Sequence, residues 1–509
     1  MLLTVNMLRH YQRCSRRSFL DLYGDPTQQD FQSDFRAKLQ QDRNALQQTI
    51  LAGQTYHKPN YAWGDWHAGA NATIALMQEG VELIYRGVLL KEEEVRIEDE
   101  SFLHLPKTVT LVSCPDFLVK QPGQSNFGDW IYVPSDIHLG RRPKLEYQTV
   151  AAFHAHLLAS VQGVLPDTVW LRLREKKAYA VNLSKWVPMM QALVEECIEM
   201  LLSRQEPEVF ITRQRCNLCP WLNHCYAIAQ EQQHLSLIPG VTPSRYQHLQ
   251  TLELTSRESL ASVSPAFLEP ALGEEVAQQL VQQAQSVVQN RAMLLEKPFA
   301  IAKTTKTAEW LMDNPSSLLS PIELYFDIEA EPSLELDYLL GVLVVDRQAN
   351  TETFYPFLAE EPNDEELVWQ QFLDLVWTYP LAPIFHFCDY EILTMKRLAK
   401  CYNTPPERLR PVLSRFVDIH DWVTGMVTLP VESYALKAIA HWLGFEWRDA
   451  GANGQVCIYW YDQWLKTRDR TFLDAILRYN EDDCRATRHL KDWLVDFMQD
   501  ASQLETARE

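Results

Sequence analysis

The sequence lacks any long apolar stretch, and this absence limits the compartments in which the protein can work. No run of about 18 apolar residues, the length that a membrane-spanning helix needs, occurs along the chain of 509 residues. The opening segment carries Arg9, His10 and Arg13 where a secretory signal peptide would have its apolar core. We therefore expect a cytoplasmic protein without a membrane partner.

The sequence also lacks an excess of positive charge. Its formal net charge is -20, whereas proteins that coat nucleic acid usually present basic surfaces that displace the counterions of phosphate. Any contact with nucleic acid must therefore be local. Carboxylates that hold metal ions are compatible with an acidic balance, because the bound metals supply positive charge beside the phosphate.

No internal repeat or low-complexity tract interrupts the chain, and its 46% hydrophobic content is enough for two or three cores. Alternating strand-like and helical stretches predict an α/β domain over residues 1–230. Residues 231–296 have helical spacing and no convincing strand, which predicts a small helical connector. Residues 320–500 begin with three apolar strands, alternate helix and strand, and end in a long amphipathic helix. This order predicts an α/β domain with a mixed sheet.

Acidic residues interrupt the first apolar strand of the third region. Asp327 and Glu329, in the segment IELYFDIEA, lie on one face because strand side chains alternate. Neighbouring carboxylates repel each other, and burial raises at least one pKa unless a cation lies between them. The pair therefore indicates a divalent-metal site, although a strand that ends at a solvated rim would also place acids here.

Further acids follow along the same region. Tyr479 and Asp483 are one helical turn apart in the final helix, where the tyrosine can hold a water while the aspartate binds metal. Such pairs also occur on solvated helix faces. In PIFHFCDYEIL, either Asp389 or Glu391 can be a third ligand, while the other caps the helix or faces solvent. Asp418, in RFVDIHDW, is a reserve candidate.

The order of FDIE, an acid after a strand and YxxxD in a late helix resembles the DEDD group of 3′–5′ exonucleases, of the YprB type, over residues 320–500. The resemblance implies a ribonuclease H-like fold and a two-metal mechanism in which Tyr479 orients the attacking water. The residues that would hold two Mg²⁺ or Mn²⁺ ions are four acids, namely Asp327, Glu329, Glu391 and Asp483. Glu391 is preferred to Asp389 because it occupies the position of the family's middle aspartate.

Three of the ten cysteines crowd together in RCNLCPWLNHC, as Cys216, Cys219 and Cys225. In a chain without a secretory signal, this grouping is typical of a zinc or iron–sulfur site rather than of disulfides. Cys14, far earlier in the chain, is the candidate for a fourth ligand. An early cysteine followed by this late set resembles the RecB-like nucleases of the PD-(D/E)xK type, which join their ends with a [4Fe–4S] cluster. The resemblance favours iron–sulfur over Zn²⁺.

That family implies a restriction-endonuclease-like domain with its catalytic core between the cysteines. Asp116, in CPDFLV, and Asp136, in YVPSDIHLG, would be the metal-binding acids, and His138 stands where the family keeps a catalytic lysine. A histidine is shorter than a lysine and mostly neutral at neutral pH, which leaves open whether this domain cuts nucleic acid or only grips it. The weaker candidates for completing the motif are Lys144, the upstream acid Asp42 and Gln148.

The connector segment SLIPGVTPSRY resembles a helix-hairpin-helix element, whose backbone amides around Gly240 and Val241 would bind phosphate. The whole chain resembles a family of bacterial nucleases described as RecB-like. We predict a metal-dependent nuclease that hydrolyses single-stranded or frayed DNA ends from 3′ to 5′ in DNA repair or processing, with helicase or repair partners left open. The alternatives are an exonuclease that trims RNA and a non-catalytic scaffold that binds nucleic acid through decayed nuclease folds.

Overall fold

The computed structural model describes residues 1–94, 108–174, 177–295 and 319–506. The chain divides into two compact units, Met1–Ile228 and Ala229–Glu509. The region that the sequence predicts as a connector lies within the second unit, and its last residue falls outside the described ranges. Within these ranges, none of the helices combines the length and the apolar character that crossing a membrane requires.

Two β-sheets and the helices around them form the first unit. Its strands are β1 (Leu2–Thr4), β2 (Leu83–Tyr85), β3 (Leu89–Glu94), β4 (Thr108–Ser113), β5 (Phe117–Ser125), β6 (Gly128–His138), β7 (Trp170–Leu173) and β8 (Tyr179–Ala180). Its helices are α1 (Val5–Arg13), α2 (Ser15–Tyr23), α3 (Asp34–Leu51), α4 (Trp66–Glu79), α5 (Leu145–Gln162), α6 (Leu183–Ser203), α7 (Arg213–Cys216) and α8 (Leu222–Glu231). The boundary between the two units falls within α8.

The larger sheet of the first unit has the strand order β2-β5-β6-β7-β8, and β1, β4 and β3 form the second sheet. β5 and β6 are antiparallel, whereas β6 and β7 are parallel and α5 connects them. The apolar run TVTLVSCPDFLV, which reads as one strand in the sequence, contributes to both sheets, because β4 ends at Ser113 and β5 begins at Phe117. Pro115, which has no N–H to donate to a ladder, lies in the break.

The second unit begins with helices and continues into a sheet. Its first elements are α9 (Pro243–Thr251), α10 (Arg257–Ser262), α11 (Pro265–Leu272), α12 (Glu274–Gln289) and β9 (Met293–Leu294). Its later strands are β10 (Ile322–Glu331), β11 (Leu336–Asp346), β12 (Thr351–Leu358), β13 (Ile384–His386), β14 (Phe416–Asp418) and β15 (Val427–Thr428). Its later helices are α13 (Glu365–Thr378), α14 (Tyr390–Cys401), α15 (Pro406–Leu413), α16 (Ile419–Met426), α17 (Leu436–Trp442), α18 (Gly454–Thr467) and α19 (Arg470–Thr506).

The main sheet of the second unit has the order β12-β11-β10-β13-β14, with β10 at its centre. β10, β11 and β12 are antiparallel neighbours, whereas β13 and β14 run parallel to β10. This mixed sheet confirms the predicted order of three strands followed by alternating helix and strand. The sequence pattern does not reveal β14, because a strand of three residues is too short to show a period of two.

β10 is buried on both faces, which explains its nearly continuous apolar sequence. Phe326 packs on the side of α13, where its ring lies 4.7 Å from the ring of Phe372. Tyr325 belongs to the core on the opposite side, which α19 completes. Because side chains alternate along a strand, Asp327 and Glu329 point to the same side as Tyr325.

The helices before β9 pack against the sheet domain within the same unit. The side chain of Gln283, on α12, donates a hydrogen bond to the carbonyl of Leu429 at 2.6 Å and accepts one from the hydroxyl of Tyr434 at 2.9 Å. β9 and β15 form an antiparallel pair. Residues far apart in the sequence thus hold this helical region in place.

One of the two backbone amides expected to bind phosphate in the connector is already paired within the glycine turn. Gly240 has a positive φ of 87°, which favours glycine. The backbone N–H of Val241 donates to the carbonyl of Ile238 at 3.1 Å, so that this amide is already paired within the turn. A single 3-10 turn, Leu235–Leu237, precedes the glycine in place of the expected helix.

A fully buried ion pair joins the final helix to the central strand. The Nζ atom of Lys491, on α19, lies 2.9 Å from Oε1 of Glu323, on β10. The other oxygen of Glu323 accepts hydrogen bonds from the hydroxyl of Tyr325 and from Nε of Arg347, both at 2.7 Å. Buried charges are tolerated where every polar atom has a partner, as here, and the loss of one partner is costly.

Replacing Lys491 with methionine is expected to lower the free energy of unfolding by about 3 kcal/mol, because Glu323 would stay buried without one of its cations. Lys466→Met is the matched control. Lys466 pairs with Asp462 at 2.6 Å on a more exposed helix surface, where such pairs contribute about 0.3–0.5 kcal/mol. Urea titrations of both variants measure the difference, and equal losses would contradict the role given to the buried pair.

Candidate active site

Three carboxylates from two elements meet on the face of the sheet that α19 covers. One oxygen of each of Asp327, Glu329 and Asp483 lies within 4.8 Å of the other two. β10 supplies the first two because its side chains alternate, and α19 supplies the third. Within the described ranges, no lysine or arginine forms an ion pair with any of the three. The fold therefore concentrates negative charge that the protein's own cations do not pair.

Burial and mutual repulsion raise the pKa of these acids. Burial raises the pKa of Asp327 well above its ordinary value, and the charges of the neighbouring acids raise it further. The pKa of Glu329 is raised by the same causes. Burial raises the pKa of Asp483 to about 7, although hydrogen bonds from Trp447 and Tyr479 favour its charged form. A divalent cation among these oxygens would offset the repulsion, so the residues fit a metal site.

Neutral donors hold two of the acids in place. The indole Nε1 of Trp447 donates to Oδ1 of Asp483 at 2.7 Å. The amide Nδ2 of Asn480 donates to Oδ2 of Asp327 at 2.6 Å. Tyr479 is buried one helical turn before Asp483, to which its side chain hydrogen-bonds. Because these donors carry no charge, they orient the carboxylates and leave the net negative charge of the cluster available to a cation.

Of the two candidates for the middle acid, Glu391 faces the cluster and Asp389 does not. Glu391 is buried in the first turn of α14, and its charge helps raise the pKa of both Asp327 and Glu329. Asp389 is exposed at the start of the same helix. Burial raises the pKa of Glu391, while His386, whose Nδ1 lies 3.5 Å from Oε2 of Glu391, favours the charged form. Glu391 is not among the acids that meet within 4.8 Å.

Asp418, the reserve candidate, caps a helix. Its Oδ1 accepts the backbone N–H of Cys388 at 3.0 Å and that of His420 at 2.9 Å, at the start of α16. With His420 and Asp421 it forms a second group of side chains whose ligand atoms lie close together. Asp418 therefore connects the ends of β13 and β14 and stands apart from the three converging acids.

A close approach between strand and helix depends on a glycine that no motif in the sequence marks. Gly341, on β11, pairs with Asp327 in the sheet. A Cβ atom at this position would lie 1.6 Å from Oδ1 of Asn480, whose side chain is fully buried. Glycine therefore makes the room that Asn480 occupies. A lone glycine inside an apolar strand is the signal that could have indicated this approach.

Lys437 and Trp447 also border the site without any preceding sequence signal. The Nζ atom of Lys437 lies 5.3 Å from the ring centroid of Trp447 and 5.6 Å from that of Tyr479. Burial lowers the pKa of Lys437, whereas the charge of Asp483 raises it. Lys437 is thus a cation beside the tyrosine and near the acids. It comes from α17, which no motif connects to the acidic residues.

In the first unit, other side chains already occupy the carboxylate of Asp116. Nη2 of Arg43 donates to both oxygens of Asp116, at 3.1 Å and 3.0 Å. Nε2 of Gln47 donates to Oδ1 at 2.6 Å, and the backbone N–H of Ile137 donates to Oδ2 at 2.8 Å. Burial and the charge of Asp136 raise the pKa of Asp116, whereas Arg43 lowers it. Within the described ranges, the three converging acids of the second unit have no cation paired with them in this way.

Asp136 lies beside Asp116 and faces a histidine rather than an arginine. Its Oδ1 accepts the backbone N–H of Asp116 at 3.0 Å, and its Oδ2 lies 2.8 Å from Nε2 of His154. His138 stacks on Tyr147, with ring centroids 3.8 Å apart and an interplanar angle of 10°. Burial lowers the pKa of His138 to about 4, so that its ring is neutral near neutral pH.

The weaker candidates of the first unit do not join these acids. Asp42 pairs with Lys38 at 3.0 Å on α3, and Gln47 of the same helix faces Asp116 instead. Lys144 is exposed at the start of α5. Gln148 is buried, and its side-chain amide donates to the carbonyl of Pro143 at 3.0 Å.

The four cysteines predicted to bind a cofactor lie near one another. Cys14 connects α1 and α2, and the other three extend from the end of α7 into α8. Burial raises the pKa of Cys216, Cys219 and Cys225, and the charge of Cys14 contributes to each rise. Arg16 hydrogen-bonds to Cys225 and favours its thiolate. None of the four forms a disulfide, and within the described ranges they are not among the side chains whose ligand atoms meet within 4.8 Å.

Gly341→Ala is expected to lower the free energy of unfolding by about 1–3 kcal/mol, because the buried Asn480 has no room to move away from a new methyl group. Gly454→Ala is the matched control, since a Cβ at that position, in the first turn of α18, meets no atom within 4 Å. Thermal and urea unfolding of both variants test the expectation. A Gly341→Ala protein as stable as the control would show that α19 does not approach β11 as closely as described.

Comparison with known proteins identifies a superfamily for part of the second unit. A search of curated proteins finds no match to this chain. A model of the RNase_H superfamily matches residues 324–495, a segment that runs from β10 into α19. Four acids discussed above lie inside it, namely Asp327, Glu329, Glu391 and Asp483. The second unit therefore contains an RNase H-like domain, a class consistent with metal-dependent nuclease chemistry that uses Mg²⁺ or Mn²⁺.

Proposed function

We propose that the chain is a nuclease whose C-terminal domain hydrolyses phosphodiester bonds at nucleic-acid ends from 3′ to 5′. The observation that carries this proposal is the convergence within 4.8 Å of the half-buried Asp327 with the buried Glu329 and Asp483. Buried carboxylates without paired cations cost several kcal/mol, so a fold that keeps them favours a role that needs a cation. The RNase H-like match over the same residues supports this role.

In the proposed reaction, the protein's own side chains position the metal ions and the attacking water. The residues that would hold Mg²⁺ or Mn²⁺ are Asp327, Glu329, Asp483 and Glu391. Bound metal ions would lower the pKa of the attacking water and offset the charge of the phosphate. Tyr479, hydrogen-bonded to Asp483, would orient the water. The water oxygen bonds to phosphorus, the bond from phosphorus to the 3′ oxygen breaks, that oxygen gains a proton, and a nucleoside 5′-monophosphate leaves.

We assign hydrolysis to the second unit rather than to the first. Asp116 is paired with Arg43, so this acid needs no metal to offset its charge. Asp136 lies 2.8 Å from His154, which is a cation only when it is protonated. The acids of the second unit have no such partners within the described ranges. The first unit keeps its resemblance to RecB-like nucleases, and on that basis we propose single-stranded or frayed DNA ends, in repair or processing, as the substrate.

Replacing Asp327 and Asp483 together with asparagine is expected to reduce the release of mononucleotides from 3′-labelled single-stranded DNA by about 1000-fold. The reason is that metal ions contribute several kcal/mol to such reactions and need these oxygens. Activity in Mn²⁺, followed by gel electrophoresis, measures the loss. The same neutralisation should raise the unfolding temperature of the metal-free protein, because it removes the repulsion among buried acids. Full activity in the double variant would contradict the site.

Glu391→Gln and Asp389→Asn form a matched pair that tests the middle acid. Glu391→Gln is expected to lower activity by about 100-fold or more, because a buried oxygen that helps bind metal would be lost. Asp389→Asn is expected to leave activity within about twofold, because Asp389 is exposed. The opposite ranking in the same assay would reassign the ligand. Competition between labelled DNA and RNA ends distinguishes the proposed substrate from RNA.

We further propose that Cys14, Cys216, Cys219 and Cys225 bind a [4Fe–4S] cluster. Their number and the hydrogen bond from Arg16 to Cys225, which favours the thiolate of this residue, support a set of four ligands. Cys14 lies between the first two helices, and the other three lie near the end of the first unit, so a cluster would join the two ends of this unit. Zinc bound by the same thiolates is the competing outcome.

Protein purified without oxygen is expected to absorb near about 400 nm and to contain iron and sulfide, because thiolate-bound clusters absorb visible light whereas zinc does not. Cys219→Ser should remove this absorbance. Cys401→Ser is the matched control, because Cys401 is exposed and belongs to the second unit. A colourless protein that contains zinc would replace the cluster with a zinc site, and absorbance that survives in Cys219→Ser would exclude this residue as a ligand.

A further inference from the structure

A lysine borders the acidic site of the second unit, and the reaction described above gives it no role. Lys437 is the second residue of α17 and is partly buried. Its Nζ atom lies 5.3 Å from the ring centroid of Trp447 and 5.6 Å from that of Tyr479, and it donates a hydrogen bond to the carbonyl of Ala452. Trp447 and Tyr479 both hydrogen-bond to Asp483. The ammonium group is therefore held next to the side chains that position an acid of the cluster.

Lys437 differs from the neighbouring arginine in having no acid paired with it. Arg448 directly follows Trp447 in the chain. Its Nη2 atom lies 2.7 Å from Oε2 of Glu481, and its Nε atom lies 2.8 Å from Oδ1 of Asp482. Within the described ranges, no carboxylate forms an ion pair with Lys437. The positive charge of the lysine is therefore available to a ligand, whereas that of the arginine is already used.

The donors of Lys437 are also only partly used. An ammonium group has three N–H donors, and the carbonyl of Ala452 accepts one of them. The faces of aromatic rings attract a cation, but they carry no net charge to offset it. A partly buried ammonium group has lost part of its hydration, and this loss is costly unless an anion or further acceptors replace the water. These features indicate an anionic ligand at Lys437.

The proposed reaction brings such an anion to this part of the site. The linkage that is cut has to approach Asp483 and Tyr479, and Lys437 lies beside both side chains that hold this aspartate. A lysine ammonium is a compact charge with rotatable donors, which suits a phosphate oxygen. The expected anion is therefore a phosphate oxygen of the substrate strand.

We propose that Lys437 binds a non-bridging oxygen of the terminal phosphodiester group and thereby fixes the 3′ end of the strand beside the acidic cluster. This inference rests on the proposed function, since it places the same linkage at the same site. Lys437 is then a residue that binds the substrate, and it neither gives nor takes a proton in the reaction. The rings of Trp447 and Tyr479 and the carbonyl of Ala452 hold its ammonium group in position.

The main test removes the charge of the phosphate rather than that of the lysine. It compares two single-stranded DNAs, a natural one and one whose 3′-terminal linkage is an uncharged methylphosphonate. Full-length protein that carries Asp327→Asn and Asp483→Asn binds them in buffer without divalent metal, so that neither strand is cut, and fluorescence anisotropy gives the dissociation constants. The methylphosphonate strand is expected to bind about 10-fold more weakly, because a hydrogen bond between charged groups is lost. Equal affinity for the two strands would overturn the proposal.

Lys437→Gln in the same protein completes a double-mutant cycle. It is expected to weaken binding of the natural strand about 10-fold and to reduce the salt slope by about 1, but to bind the methylphosphonate strand within about twofold of its parent. A purely structural role would weaken binding of both strands equally, and this result would overturn the contact. Lys400→Gln is the matched control, because Lys400 is exposed in the last turn of α14, and it should bind both strands like the parent.

Lys437→Arg separates the charge of the side chain from its shape. Because arginine keeps a cation with several donors, this variant is expected to bind the natural strand within about threefold of the parent. A loss as large as that of Lys437→Gln would show that the charge is not what binds the strand, and would overturn the proposal. The same variant keeps the proposal testable if Lys437→Gln does not fold.

Kinetics with the acids of the cluster intact provide a second measurement. In Mn²⁺, Lys437→Gln is expected to lower kcat/KM for the release of mononucleotides about 10-fold, mainly by raising KM. The reason is that the phosphate carries its charge both before and during the reaction, so the contact contributes to ground-state binding. An unchanged KM would contradict the contact.

The failure of this inference and the failure of the proposed hydrolysis give different results. If the unaltered protein releases no mononucleotides, but Lys437→Gln loses affinity only for the natural strand, the hydrolysis is overturned and the phosphate contact is supported. If the protein cuts DNA with the same kcat/KM with and without Lys437, the hydrolysis is supported and the contact is overturned.

Discussion

Three carboxylates that repel one another share a buried space between β10 and α19, and this repulsion is the constraint that the surrounding structure has to meet. Two unit charges about 4 Å apart interact by roughly 4 kcal/mol at an effective dielectric constant of about 20. The protein places no paired lysine or arginine on Asp327, Glu329 or Asp483 within its described ranges. It uses the neutral donors Asn480 and Trp447 instead, which orient the oxygens without neutralising them.

Such a cluster needs rigid support, and two contacts between the final helix and the sheet provide it. In the first, Asn480 fits into the space left by Gly341 and reaches Asp327. In the second, Lys491 is buried against Glu323, with Nζ 2.9 Å from the carboxylate. The two contacts lie on the same side of α19 and on the same face of the sheet, so that the helix cannot rotate without breaking one of them. The positions of Tyr479 and Asp483 along this helix follow from these anchors.

Local patterns in the sequence predict which residues share a face in strands and helices that are long and regular. The strand β10 and the helix α19 are long enough for their periods to show which residues share a face, and the predicted acids Asp327, Glu329 and Asp483 do converge. The choice between Asp389 and Glu391 could not be made in the same way, because both lie where a short strand turns into a helix. Which of them is buried depends on the packing of α14, and this packing is not a local property.

The other features that the sequence could not reveal depend on contacts between distant segments of the chain. Gln47 and Arg43 reach Asp116 across about 70 residues of chain, and no motif marked either of them. Lys437 enters the C-terminal site from a short helix whose sequence resembles any amphipathic helix. β14, with three residues, is recognisable as a strand only once its neighbour β13 is in place. In each case the feature depends on a residue that is near in space and distant in sequence, so a local pattern cannot show it.

The contact between Gly341 and Asn480 also restricts how proteins with this fold can diverge. A side chain at position 341 and an asparagine at position 480 exclude each other, because a Cβ atom would lie only 1.6 Å from the amide oxygen. A relative that gains a larger residue on β11 must therefore lose the asparagine, and it must then find another donor for Asp327. We therefore expect the residues at positions 327, 341 and 480 to change together among proteins with this fold.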